Sequence, residues 1–387
     1  MIKCAGTGLV YTNPQPFLKA VNAWHPSIVR LSEHELLCAF DLGQAAESLD
    51  YRTYLSRSLD GGATWSAPAR LFHDVVSGPT SHTVRISQLR DGSLVGVGAR
   101  FYRNSPEQGL TNRETLGLVP LDLILLRSID GGHTWTGPEV LKPPIEGPCF
   151  EVCHSILQLA DGRLILPTQT WPDWQGHAPH GMRAISISSL DQGSTWPAFS
   201  TVFDGVARGI IHFEQSIVEM PSGPLVAVAW AYDSRTRESL PTPYAISHDG
   251  RTFSDPQPTG LIGETAKLLA LDDERILCVY RRVDKAGLWA QLARLEDGRW
   301  VNLEELLLWQ GVESGGRNGN TSDHLSGLKF GFPSLMRLSA EEVMIVFWCE
   351  ENNVHNIRWF RLAIPARATN PPHFGRRGMP HRIGTSN

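Results

Sequence analysis

Glu151 and Glu214 are the side chains whose surroundings most invite chemistry. Both stand inside apolar stretches, Cys149-Phe150-Glu151-Val152 and His212-Phe213-Glu214-Gln215, where a carboxylate is costly unless something partners or uses it. Two carboxylates whose environments hold their pKa values apart supply what hydrolysis of a glycosidic bond needs. One protonates the leaving oxygen; the other attacks or activates water. The plainer use, accepting hydrogen bonds from nearby backbone, stands beside this reading for each of them. The stretch from Asp41 to Tyr51 adds three further acids, Asp41, Glu47 and Asp50. Aromatic and basic side chains gather at the ends of apolar runs: Arg100, Trp171, Trp230, Tyr232, Arg235, Arg281 and Arg282. Flat rings stack on the apolar face of a sugar, and an arginine fork grips a carboxylate. The candidate catalytic groups are therefore Glu214, Glu151 and Asp50. Those seven side chains, with His25 and His212, are the candidate substrate contacts.

Histidines 25, 82, 154 and 212 all fall near the starts of apolar runs. Alternation along an extended strand sends His25 and His212 to one side and His82 and His154 to the other. A four-ligand cage is not expected, so the reading includes no metal and no cofactor.

Such residues need elements that bring them together, and the chain supplies one element six times. Pro26 to Leu31 with Glu35 to Phe40 reads as a hairpin of two short strands, and the pattern returns near Arg85, Ser155, Ser216, Lys267 and Ser334. Aligning the six hairpins puts His25, Thr83, Cys153, Glu214, Thr265 and Phe332 in one equivalent slot. Two residues earlier come Ala23, Ser81, Glu151, His212, Gly263 and Phe330. A second repeat lies between hairpins: Ser58-Leu59-Asp60-Gly61-Gly62-Ala63-Thr64-Trp65, Ser128 to Trp135, Ser189 to Trp196, a shortened Ser247 to Phe253, and a remnant at Leu295 to Trp300. Its Asp can accept hydrogen bonds from turn N–H groups, its Gly takes positive φ, and its aromatic ring folds back under the turn.

These turn repeats resemble the Asp-box of sialidases and related β-propellers. The resemblance implies an all-β, six-bladed propeller of four-stranded antiparallel blades, with the boxes joining outer strands away from the active site. Residues 1–22 then provide a lead-in and a strand at 7–12 that closes the ring beside His355 to Leu362, residues 23–364 form the blades, and 365–387 an irregular tail, all within one domain. Sialidases use three arginines, a Tyr nucleophile activated by Glu, and an Asp acid/base. The resemblance puts Glu214 at the Glu position, Asp50 or Glu47 in the loop of the Asp, and Arg235 at one arginine. It departs at Trp24-His25-Pro26, where the first arginine belongs, and at Gly331-Phe332-Pro333, where the Tyr belongs. Phenylalanine cannot be a nucleophile. Exo-acting arabinanases of the same clan use two glutamates, and Glu151 and Glu214 would fill those roles.

Composition sets outer bounds. A net charge of −5 over 387 residues gives no reason to expect a nucleic-acid partner. No run is long enough to span a membrane, the start lacks a secretory signal pattern, and six scattered cysteines suggest reduced thiols. The expectation is a cytoplasmic exo-acting glycosidase whose partner is a carbohydrate, acidic sugars included. The alternatives are a sugar-binding propeller without catalysis and a uronic-acid lyase with His25 or His212 as base.

Overall fold

The computed structural model describes residues 1–272, 274–311 and 327–366. Six antiparallel sheets follow one another along the chain as blades 1 to 6. Their innermost strands are Asn22–Arg30, Thr80–Gln88, Cys149–Glu151 with Leu157–Gln158, Ile210–Glu219, Gly263–Ala270 and Phe330–Arg337. The expected four-stranded plan holds, with two local additions. The innermost strand of blade 3 is split in two, and blade 4 carries a short extra strand, Glu238–Leu240. The split leaves 152–156 irregular, and within it the Cys153 carbonyl accepts a hydrogen bond from Lys267 Nζ at 2.9 Å. The fourth strand of blade 6 is Lys3–Tyr11, which pairs antiparallel with Val354–Ala363 and closes the ring. The tail expectation for 367–387 lies outside the described residues. No helix among the described residues is long and apolar enough to cross a membrane.

The second strands read as continuous apolar runs because both of their faces are covered. In blade 1, Leu36, Cys38 and Phe40 pack toward blade 6, while Leu37 and Ala39 pack toward blade 2. The same division gives one hydrophobic cluster at each blade boundary. Polar side chains nearer the axis fasten the blades: Ser27 Oγ accepts Ile86 N at 3.0 Å, Ser216 Oγ accepts Leu268 N at 3.1 Å, and Ser334 Oγ accepts Ile28 N at 3.3 Å.

The repeated turn fastens itself as its residue types require. Thr64 N and Oγ1 donate to the two Asp60 carboxylate oxygens at 2.9 and 2.6 Å, Gly62 N donates to Ser58 Oγ at 2.7 Å, and Trp65 Nε1 donates to Gly62 O at 3.1 Å. Asp130 and Asp191 repeat the pattern. These donors pull the Asp60 carboxyl down to about 2. The aromatic rings of these turns join the clusters between blades, and none of the turns lines the axial cleft.

Gly98 marks a place where backbone must meet backbone. A Cβ there would lie 1.8 Å from Thr83 O, across the strand pair that positions Thr83 at the axis. Gly98→Ala should therefore cost on the order of 3 kcal/mol, seen as a Tm several degrees lower. An unchanged Tm would contradict that contact.

Candidate functional site

Four of the six aligned slot residues share an uncommon backbone. His25, Glu214, Thr265 and Phe332 have φ of 49°, 47°, 52° and 53°. At each of them the ladder slips register, between Trp24 and Ser27, Phe213 and Ser216, Glu264 and Lys267, and Gly331 and Ser334. Left-handed backbone at non-glycine residues costs ~1–3 kcal/mol each and gathers at functional sites. His25, Glu214 and Phe332 line a cleft of about 230 Å³ at the axis, and Thr265 lines a smaller space beside it. An axial channel adjoins it, and Phe332 borders both spaces. Arg85 Cζ and Lys267 Nζ lie 4.9 and 5.0 Å from the Phe332 ring centroid.

One wall of the cleft holds the two glutamates. A carboxylate oxygen of Glu151, one of Glu214 and the Cys153 sulfur all lie within 4.8 Å of one another. Glu214 N donates to Glu151 Oε2 at 3.2 Å, and Lys267 Nζ donates to Glu214 O at 3.3 Å. Glu214 Oε2 is buried without a hydrogen-bond partner. Burial first, then the Glu151 charge beside it, pushes the Glu214 carboxyl up to about 7. Burial also raises Glu151, but the Cys153 thiol, the Glu214 amide and the Lys267 charge oppose it. The contacts that oppose the rise at Glu151 make Glu214 the better placed of the two to carry a proton. The Lys267 ammonium beside this Glu–Cys–Glu set makes it a poor place for a metal cation.

The opposite wall is a hydrogen-bonded cluster around Asp41, which is fully buried. Asp41 Oδ1 accepts Thr53 Oγ1 at 2.6 Å, and Oδ2 accepts Thr83 Oγ1 at 2.7 Å, Tyr51 OH at 3.1 Å and Arg85 Nη1 at 3.2 Å. Burial raises the Asp41 carboxyl, while Arg85 and the three hydroxyls pull it back. Tyr51 OH also lies 2.5 Å from His25 Nδ1. Burial, then Arg85 and Arg281, hold His25 well below its ordinary pKa, so the ring is neutral near pH 7. Arg281 reaches the cleft with Nε and Nη2 on Glu264 Oε2, at 2.9 and 2.6 Å, and Nη1 on Phe330 O at 2.8 Å.

Of the residues expected from sequence, Glu151, Glu214, His25, Arg281 and Trp230 line this cleft. The others do not. Asp50 is exposed and caps its own loop, accepting Gln44 N at 3.1 Å and Ser48 Oγ at 2.5 Å; Glu47 of that loop reaches the cleft instead. Arg235 projects outward, its side chain 67% exposed and paired with Asp233. Arg282 takes the opposite face from Arg281, pairing with Asp284 and Glu305 over Trp289. Arg100 is held bidentately by Asp74, both contacts at 2.7 Å. Trp171 donates to Leu116 O at 2.6 Å within a buried cluster that also takes Tyr232. His212 stacks on Phe203, ring centroids 5.1 Å apart, because the slip at Glu214 turns it away from the axis. Tyr51, Arg85 and Lys267 are the cleft and channel residues that the sequence reading missed.

No family model and no curated protein matches the chain. Solved structures do. A protein of unknown function from Dyadobacter fermentans superposes with a TM-score of 0.72 at 21% identity, over 94% of this chain and 99% of that one. The NanB sialidase from Streptococcus pneumoniae gives 0.66 at 13%, over 92% and 70%. The Penicillium chrysogenum α-L-arabinanase gives 0.60 at 16%, over 92% and 98%. The fold is that of the sialidase-like propellers. At these identities the likeness carries the architecture and leaves the chemistry to the cleft.

The cysteines offer a simple check on that cleft. Cys153 is half-buried, and burial with the two glutamates pushes its thiol well up. Cys4 is exposed on the closing strand. Iodoacetamide on the native protein at pH 7.5 should label Cys4 first by peptide mass spectrometry; prior labelling of Cys153 would mean that its carboxylate neighbours are misplaced.

Proposed function

We propose that the chain is an exo-acting glycoside hydrolase, with Glu214 donating a proton to the leaving oxygen and Glu151 as the carboxylate beside it. The observation that carries this reading is the glutamate pair itself: two acids facing a cleft from adjacent blades, one with an unpartnered buried oxygen and a carboxyl raised to about 7. An acid that keeps its proton near neutrality can deliver it to a glycosidic oxygen. The cleft is small and bordered by Phe332, which suits the end of a sugar chain better than its middle. Trp230 on the cleft wall, with Nε1 on Ser239 Oγ at 3.0 Å, offers an aromatic edge for a sugar ring.

The charges favour a neutral terminal sugar over an acidic one. Arg85 faces Asp41 and Arg281 faces Glu264, each contact in a buried pair, so neither guanidinium keeps its full charge for a ligand carboxylate. A panel of 4-nitrophenyl glycosides of neutral and acidic sugars tests the proposal, read as nitrophenolate release. Turnover of a neutral glycoside is expected. Sugar binding without turnover across the panel, seen by calorimetry, would replace the hydrolase with a binding propeller.

A further inference from the structure

The hydrogen bonds of the Asp41 cluster fix the direction in which each of its protons points. Thr53 Oγ1 accepts Val84 N at 2.9 Å, and Thr83 Oγ1 accepts Arg85 Nη1 at 2.9 Å, so both hydroxyl protons are free to point at Asp41. With Arg85 Nη1 and Tyr51 OH, four donors converge on one buried carboxylate. A carboxylate so surrounded acts as acceptor only. The single Tyr51 proton is then committed to Asp41, and the Tyr51 oxygen is left to accept. Its other neighbour is His25 Nδ1, at 2.5 Å. That contact requires Nδ1 to carry the imidazole proton, which leaves Nε2 as a lone pair. His25 lines the cleft, and its side chain is 28% exposed there. The Phe332 ring stands edge-on to the imidazole, centroids 4.9 Å apart, and limits its rotation.

We infer that His25 is the general base of this cleft, with Tyr51 and Asp41 as its positioning residues. The inference rests on the hydrolase reading and deepens it by naming the group that activates water. Blades 1 and 4 stand opposite each other in a ring of six, so His25 and Glu214 face the substrate from opposite walls. In a single displacement, His25 Nε2 takes a proton from water as the water oxygen bonds to the anomeric carbon. The glycosidic C–O bond breaks, its electron pair goes to the leaving oxygen, and that oxygen takes the proton from Glu214. Charge arising on the imidazole is met by Asp41 through Tyr51. The product is a free sugar of inverted anomeric configuration. Glu151 serves in this scheme by keeping the proton on Glu214.

The test has three readouts. Proton NMR of the first sugar released from the best nitrophenyl glycoside should show inversion; retention would make Glu151 the nucleophile, overturning the role of His25 while leaving the hydrolase standing. His25→Ala should lower kcat by ~10²–10⁴-fold with KM little changed, and azide, which needs no base, should restore release as an inverted glycosyl azide. Tyr51→Phe should keep the fold and shift the acidic limb of the pH profile, which a merely structural tyrosine would leave in place. The third readout needs no substrate. In ¹⁵N-histidine-labelled protein, with His25 assigned through His25→Gln, Nδ1 should be protonated and Nε2 bare. A protonated Nε2 ends the proposal even if every glycoside tried is inert; a bare Nε2 in that case keeps His25 as a base while the hydrolase reading fails.

Discussion

Glu214→Gln is expected to lower kcat/KM by ~10²–10⁴-fold on an oligosaccharide, whose leaving alkoxide needs a proton, the usual contribution of a positioned acid, and to make the protein more stable above neutral pH. The two effects share one cause. In the folded chain the Glu214 carboxyl sits at about 7, against ~4.3 for an unperturbed glutamate. Between those values the folded state binds more protons than the unfolded one, so stability is highest below the lower value and is lost as pH rises through the upper. The loss is on the order of 4 kcal/mol. Glutamine keeps the shape and carries no charge, so its Tm should exceed that of the wild type at pH 8 and match it near pH 4. Wild-type activity should likewise fall as pH rises through about 7, as the acid gives up its proton. An inactive variant with no stability gain at pH 8 would mean that the carboxylate is not held against its solvation.

Glu264→Gln should cost about 3–5 kcal/mol in urea unfolding, the usual penalty for leaving one partner of a buried ion pair alone. Glu264 is 1% exposed and Arg281 5%. The guanidinium gives two hydrogen bonds to one Glu264 oxygen and one to the Phe330 carbonyl, tying blade 5 to blade 6 at the cleft. A neutral amide leaves the charge without a counter-ion, and the cleft wall that Arg281 forms should loosen with it. A loss under about 1 kcal/mol would show that water reaches the pair.

The architecture was readable because it is repeated. Each blade restates its hairpin, so aligning them placed His25, Glu214, Thr265 and Phe332 in one slot, and all four share the same left-handed backbone. The site was half readable. Glu151 and Glu214 stood out as charges in apolar company, a signal that survives without coordinates. Arg282 shows how the rim reading failed: it neighbours Arg281 in a strand, and a shift of one residue sends a side chain to the other face. Arg85 and Lys267 were missed although a signal existed. The residue two beyond the slot is polar in every blade, namely Ser27, Arg85, Ser155, Ser216, Lys267 and Ser334, and Arg85 and Lys267 from that row both reach the axial channel. Tyr51 had no such repeat, because it ends a loop particular to blade 1 and is placed only by its bonds to Asp41 and His25.

The pairing of Lys3–Tyr11 with Val354–Ala363 also governs how the protein is made. During synthesis the earlier strand is made almost a whole chain before its mate, so its native pairing cannot form until the sixth blade has been made. Closing the ring therefore joins segments made far apart in time.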